Sequence, residues 1–353
     1  MNKSAVKQSF SIVDFHDTPN LALLQRFISL YGSYTELFTG SPRVREGVVF
    51  IPTIVKATYV LGLLLMLAMA QGQAAEPAFF RILPLAGDVF MLEASDGTGN
   101  MAVLSGPEGM LLVDSRFPQD SDALWNATRE IGSEPVRYVI NTHVHPDHIG
   151  GNQALAARGS LIIAHERVRT VMLSEIRIPR RGGVFYPRPP AEALPDITFA
   201  ESMVLHLNSE TVRIFLAPPA HTGGDAFVHF VEADVLHLGD VFRTNMYPII
   251  DHYNGGSFLG MIEAMELAIE IAGPQTQVIP GHGFGATDRD GLIAVHAMLL
   301  DFRDRVQALL DRGFDLEQVL AAAPLASYDE RWGQVPSWTA TDLLPIIVQE
   351  LQP

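Results

Sequence analysis

Thr142-His143-Val144-His145-Pro146-Asp147-His148-Ile149-Gly150-Gly151-Asn152 follows the apolar run Tyr138-Val139-Ile140-Asn141. The spacing predicts a short buried strand over Val136–Asn141. In the extended segment leaving it, alternate residues point the same way, so His143 and His145 share a face. Pro146 turns the chain, and Asp147 and His148 then face a second position close to the first. Imidazole and carboxylate are the donors that a borderline Lewis acid such as zinc prefers. Gly150 and Gly151 let the backbone pass closely and enter a helix near Gln153–Ala157.

Three later positions extend the pattern. His221 sits in Pro218-Pro219-Ala220-His221-Thr222-Gly223-Gly224-Asp225, between two strand patterns. Asp240 closes the run Val235-Leu236-His237-Leu238-Gly239, where a carboxylate at the end of an apolar strand has little structural reason to be. His282 follows Ile279-Pro280-Gly281, again after a strand. Together these residues supply the nitrogens and the bridging carboxylate that two ions need.

The surrounding pattern is mixed. Strands are expected over Phe80–Leu92, Met101–Val113 (broken by the turn Gly106-Pro107-Glu108-Gly109), Leu161–Ala164, Met203–Leu207, Thr211–Leu216 and Ala226–Leu238. Helical spacing marks Asp120–Ile131, Phe258–Ile271 and Leu292–Asp311, with further helices in the last 40 residues. Residues 178–197, rich in Pro, Arg and Gly, read as a mobile loop. Strands mixed with helices in two successive halves predict an α+β fold, a sheet-on-sheet core covered by helices.

Composition bounds the function. The 353 residues are 48% hydrophobic and 18% charged, a globular balance. Lys and Arg number 24 against 40 Asp and Glu, a net charge of −16. That disfavours nucleic acid or an anionic membrane surface as partner and points to a small-molecule substrate. The chain has no cysteine, so thiolate chemistry is excluded.

The N-terminal region divides from the rest. Ala57–Ala70, ATYVLGLLLMLAMA, is apolar and uncharged, follows Lys56, and precedes small residues suited to cleavage near Ala70, Ala74 or Ala75. Its length suits a signal-peptide core of roughly 7–15 residues better than a span of about 20. The expected organisation is an extension over 1–56, a signal peptide or membrane anchor over 57–75, and a hydrolase domain over 78–353. A start at Val48 or Val49, an uncleaved inner-membrane anchor over 57–70, and an ordinary buried helix are the competing readings. The first two give a periplasmic or secreted protein, or one whose only membrane contact is this segment.

In Asp114, in His143, His145, Asp147 and His148, and in His221, Asp240 and His282, the sequence resembles the metallo-β-lactamase superfamily over Leu83–Gly285. The resemblance implies a four-layer αβ/βα sandwich with two Zn2+ ions at one edge, Fe or Mn being other divalent choices. It implies that His143, His145 and His221 hold the first ion, and that Asp147, His148 and His282 hold the second. Asp240 would bridge them, Asp114 would brace the His loop from behind, and Asp147 would orient the attacking water.

The implied activity is metal-assisted hydrolysis of a cyclic amide or ester carbonyl, as in a β-lactamase. A lactonase or a thioesterase like glyoxalase II is the alternative, since Asp240 stands where two-zinc lactamases often carry Cys or Ser. The C-terminal 40 residues hold one basic residue, Arg331, unlike the glutathione-binding patch of glyoxalase II. Di-iron redox members usually carry Glu where this chain has His145, and a non-catalytic accessory role would be signalled by lost ligands. Arg243 stands at the offset where one lactamase subclass uses Lys to hold a substrate carboxylate. Tyr247, His252 and Tyr253 are candidates to line or pack the pocket. The Ile178–Pro190 loop, with Arg177, Arg180, Arg181 and Arg188, is a candidate lid over the site, and His237 a candidate support for Asp240.

Overall fold

Two sheets carry the chain, and strands at their centres, such as Met101–Leu104 and Met110–Val113, are buried on both faces, whereas the edge strand Ser202–Leu207 exposes one. In the computed structural model, which describes residues 79–178 and 183–352, the first sheet has seven strands. They are β1 (Phe80–Pro84), β2 (Val89–Ala94), β3 (Met101–Leu104), β4 (Met110–Val113), β5 (Val136–Asn141), β6 (Leu161–His165) and β9 (Ile197–Phe199), in that spatial order. β7 (Ile176–Ile178) and β8 (Val184–Tyr186) form a separate antiparallel pair. The second sheet runs β10 (Ser202–Leu207), β11 (Glu210–Leu216), β12 (Ala226–Phe230), β13 (Val235–His237) and β14 (Gln277–Ile279).

The period of two explains the layers. Along β3 and β4, Ala102, Leu104, Leu111 and Val113 face the second sheet, where they meet Val212, Ile214, Val228, Phe230 and Ile279. Met101, Val103, Met110 and Leu112 face the opposite way, onto Leu124 and Ala127 of helix α1 (Ser121–Ile131). On the far side, Phe227, Leu236 and Val278 of the second sheet pack on α5 (Phe258–Ile271), α6 (Arg289–Leu310) and α9 (Ala340–Leu351). Helix, sheet, sheet, helix is the four-layer αβ/βα sandwich that the sequence implies. Full burial of a Leu, Ile or Phe side chain contributes roughly 1.5–3 kcal/mol, and these interfaces bury dozens. Glu350 of α9 receives the Phe258 and Leu259 amides at 2.8 and 3.0 Å. A carboxylate at the start of α5 suits the exposed amides and the dipole there.

Several boundaries differ from the sequence reading. Phe80–Leu92 is a hairpin, because Gly87 adopts φ +56 and Val89 N–H donates back to Ala86 O. Ala226–Leu238 likewise breaks into β12 and β13 at Asp234, φ +54. Within 178–197 the described residues are mostly coil, as expected, with the short strand β8 inside the stretch and β7 and β9 at its two ends; Ile176 and Ile178 of β7 join an apolar cluster with Val144, Ile149 and Met172. The expected extension 1–56, the signal or anchor segment 57–75, and Arg180 and Arg181 lie outside the described residues. Among the described residues no helix is long and apolar enough to cross a membrane.

The layout brings strand ends together. β4, β5 and β6 are mutually parallel, as are β13 and β14. Asp114 and the His143–His148 segment leave the C-terminal ends of β4 and β5, while Asp240 and His282 follow β13 and β14. The Ala226 amide, at the start of β12, donates to Thr142 O at 2.8 Å and joins the two sheet ends.

Candidate metal centre

The segment after β5 stays extended through His145, φ −68 and ψ 146. Pro146 then opens the four-residue helix α2 (Pro146–Ile149), because its fixed φ suits a first helical position. His143 and His145 thus come from extended chain, and Asp147 and His148 from the first helical turn. The His148 carbonyl is held by Ser115 N–H, Ser115 Oγ and Asn141 Nδ2 at 2.9, 3.1 and 3.0 Å. Gly151 packs against the Ser115 carbonyl so closely that a Cβ would lie 2.2 Å from it. The glycine therefore serves the approach of two loops.

All seven expected ligands converge in two groups. His143, His145, His221 and Asp240 place ligand atoms within 4.8 Å of one another, and so do Asp147, His148 and His282. His221 Nε2 lies 3.0 Å from His145 Nδ1. His282 Nε2 is 3.1 Å from both Asp147 Oδ2 and Asp240 Oδ2, and His148 Nε2 is 3.3 Å from Asp240 Oδ1. Asp240 thus reaches the second group with both oxygens, and its Oδ2 lies 3.7 Å from His221 Nε2 of the first. Gly281 admits this, because a Cβ there would sit 2.2 Å from Asp240 Oδ1.

The outward nitrogens fix which nitrogen faces in. His145 Nε2 meets Asp251 Oδ2 at 2.8 Å, His148 Nδ1 meets Asp114 Oδ2 at 2.7 Å, and His221 Nδ1 meets Ile249 O at 2.7 Å. His143 Nδ1 is 3.0 Å from Thr142 Oγ1, whose hydroxyl donates to Asp114 Oδ2 at 2.8 Å. Each outer partner is an oxygen, which leaves the inner nitrogen a lone pair for a cation. The inner Nε2 of His143 is buried with no hydrogen-bond partner. Such a nitrogen is costly to bury unless a ligand meets it, so the donor set fits divalent cations.

Charge agrees with geometry. Burial, with the neighbouring His148 and His221, holds His143 well below the usual imidazole range, and burial with His145 brings His221 down to about 3. Both are neutral donors. Burial opposes a charge on His148, yet Asp114, Asp147 and Asp240 around it prevail and raise it. Burial likewise opposes the Asp240 carboxylate, but His282, Arg243 and His148 hold it ionised. Buried carboxylates gathered around one point call for positive charge there.

The mouth of the cluster is a pocket lined by Phe117, His145, Asp147, Ile178, Tyr186, Asp240, Arg243, Ile249 and His282. Arg243 is buried, with Nη1 3.7 Å from Asp240 Oδ2, and is therefore beside both the cluster and the pocket. Tyr247 packs away from the pocket, its hydroxyl donating to Leu325 O at 3.1 Å and to Asp329 Oδ1 at 2.9 Å. Tyr253 stacks beneath Arg177, whose Cζ lies 3.7 Å from the ring centroid, and His252 stacks on Tyr253. His237 accepts from Gly239 N–H at 3.1 Å and lies 3.2 Å from Asn100 O, which fixes the turn before Asp240.

Sequence reasoning missed Asp251 behind His145, Asn254 beside it, Thr142, and the pocket walls Phe117 and Ile249, whereas Ile178 and Tyr186 fall in the stretch expected to cover the site. Only Thr142 carried a signal, as a hydroxyl next to a ligand.

A family model described as the metallo-beta-lactamase superfamily matches residues 94–291. The coenzyme F420H2 oxidase of Methanothermobacter marburgensis is 26% identical over 155 residues, 42% of this chain and 35% of that protein, so the chain spans about a third of that relative. The inverting sec-alkylsulfatase Pisa1 from Pseudomonas sp. superposes with a TM-score of 0.57 at 15% identity, over 77% of this chain and 50% of that one. The DIM-1 metallo-beta-lactamase gives 0.50 at 17%, over 63% and 97%. At these identities the solved structures share the fold.

Proposed function

The chain belongs to the metallo-beta-lactamase superfamily, and on that premise we propose that it is a zinc-dependent hydrolase of a small anionic cyclic amide or ester. The observation that carries the reading is the convergence of five imidazoles and two carboxylates in two groups, with Asp240 between them, at the floor of a small, narrow pocket. Divalent ions held there supply Lewis acidity toward a carbonyl oxygen and bring the pKa of water toward neutrality.

The chain's own residues do the rest. His143, His145 and His221 would hold the first ion and Asp147, His148 and His282 the second, with Asp240 placed between the two groups. The Asp147 side chain is 13% exposed against 3% for Asp240, so Asp147 is the carboxylate that meets an incoming water and orients it. Arg243 contacts the substrate anion from the pocket wall, where its planar fork suits a carboxylate. Phe117, Ile178 and Ile249 exclude bulk water and accept the apolar part of the substrate. No hydroxyl or thiol nucleophile is required.

The test is hydrolysis by the purified chain with zinc added and with a chelator as control, on a cephalosporin, a carbapenem, a simple lactone and a glutathione thioester. Chelator-sensitive lactam turnover is expected. Turnover of lactone or thioester alone moves the substrate to the lactonase or thioesterase class. Oxygen uptake without hydrolysis of any of them overturns the hydrolase reading.

A further inference from the structure

The 3-10 turn His252–Asn254 stands between the pocket wall and the first ligand group. On one side is the β7–β8 pair, whose Ile178 and Tyr186 line the pocket. On the other are His145 and His221. Asn254 touches both sides. Its Nδ2 donates to the Arg177 carbonyl of β7 at 2.7 Å and to Asp251 Oδ2 at 2.5 Å. That same Asp251 oxygen meets His145 Nε2 at 2.8 Å. The Asn254 carbonyl accepts from Gly223 N–H at 2.9 Å, two residues beyond His221, and Asp251 N–H donates to His221 O at 2.8 Å. Asn254 is 8% exposed, Asp251 0%.

The outer face of β7 is fastened to the same turn. Arg177 stacks on Tyr253 and donates to its hydroxyl through Nη2 at 2.8 Å. Displacing the strand therefore drags Arg177 O, and with it the amide that shares the Asp251 oxygen with His145.

We propose that Asn254 is a positioning residue that couples the β7–β8 pocket wall to the first ligand group through Asp251 and His145. The inference rests on reading that cluster as a metal centre. An outer partner sets the orientation and basicity of a ligating imidazole, and one carboxylate oxygen shared between His145 and Asn254 cannot move for one without moving for the other. Binding energy exchanged between two sites is reciprocal. Metal at the first group therefore steadies the wall against which substrate packs, and the seated wall tightens the metal.

The test uses the full chain and Co(II) as the probe, followed by its visible absorption, with hydrogen exchange at the amides of Ile176–Ile178 and Val184–Tyr186. In the parent chain, metal is expected to slow exchange at those amides. In Asn254→Ala, cobalt affinity at the first group falls about tenfold, the lower end of what loss of an outer-shell partner costs, and the metal-dependent slowing disappears. Tyr253→Ala, at a half-exposed ring away from the ligands, shifts both readouts in the same direction by a smaller factor and guards against a misfolded Asn254 variant. Parent-level cobalt affinity and unchanged exchange in both variants overturn the coupling alone. A parent chain that binds no cobalt overturns the metal centre itself, and the coupling with it.

Discussion

Asp114 Oδ2 lies 2.7 Å from His148 Nδ1, and this one oxygen serves both halves of the cluster. It also receives the Thr142 hydroxyl, which in turn accepts from His143 Nδ1. Asp114 Oδ1 takes the Thr142 amide at 2.7 Å. Asp114→Ala strips the outer partner from His148, releases the Thr142 hydroxyl that supports His143, and leaves buried donors unmet. Metal affinity at both positions falls by roughly 10–100-fold, and stability drops by about 1–3 kcal/mol for each orphaned donor. Metal content by mass spectrometry and a denaturant melt check this. Loss at one position with the other intact contradicts the shared role.

The two groups predict two equivalents of metal. Asp240→Ala and His145→Ala abolish hydrolysis with the fold retained, whereas the far-UV circular dichroism stays that of the parent. His282→Ala, outside the first group, retains close to one equivalent. Chelation lowers the melting temperature, since a cation bound at 100 times its dissociation constant adds about 2.7 kcal/mol. A melting temperature indifferent to chelator, or undiminished turnover in both variants, rules out the centre.

Arg243 distinguishes substrates by charge. A charge-assisted hydrogen bond contributes about 1.5–3 kcal/mol, roughly a 10- to 150-fold effect on binding. Arg243→Ala raises KM for anionic substrates by a factor in that range and leaves neutral ones nearly unchanged. Equal effects on both classes assign Arg243 to holding Asp240, its neighbour at 3.7 Å, and not to the substrate.

Glu232 sets an acid limb of stability. Its carboxylate receives the Thr211 amide at 2.6 Å and the Thr211 hydroxyl at 2.9 Å, and these bonds bring its pKa from 4.5 down to about 2. A folded-state value below the unfolded one gives stability that is present above 4.5 and lost as pH falls toward 2. Glu232→Gln is therefore less stable than the parent at neutral pH. The two converge in acid, as melts at pH 7, 4 and 2.5 reveal. A constant difference across that range refutes the linkage.

Most ligands were legible because they fall where an apolar strand gives way to polar residues: after Ile140 for the His143–His148 segment, after Leu238 for Asp240, and after Ile279 for His282. Strand periodicity located β3, β5, β10 and β11 for the same reason. Apart from Asp114, which the family resemblance marked, the supports behind the ligands were not legible. Asp251 and Asn254 lie in a loop whose composition is that of any turn, and their importance comes from His145, 106 residues away from Asp251 in sequence. The β7–β8 pair escaped notice because three-residue strands among Pro, Arg and Gly leave no alternation to count. Tyr247 read as a pocket candidate from proximity to Asp240, but its hydroxyl is engaged by residues 78 and 82 positions further on.

The division of ligands between the two sheets fixes when the centre can exist. His148 and His282 stand 134 residues apart in sequence and 3.4 Å apart in space. A ribosome that has released only the first sheet has delivered His143, His145, Asp147 and His148 and no complete group. The cluster is therefore complete only once both halves have arrived and docked, and an ion that needs a full group would wait for the closed sandwich.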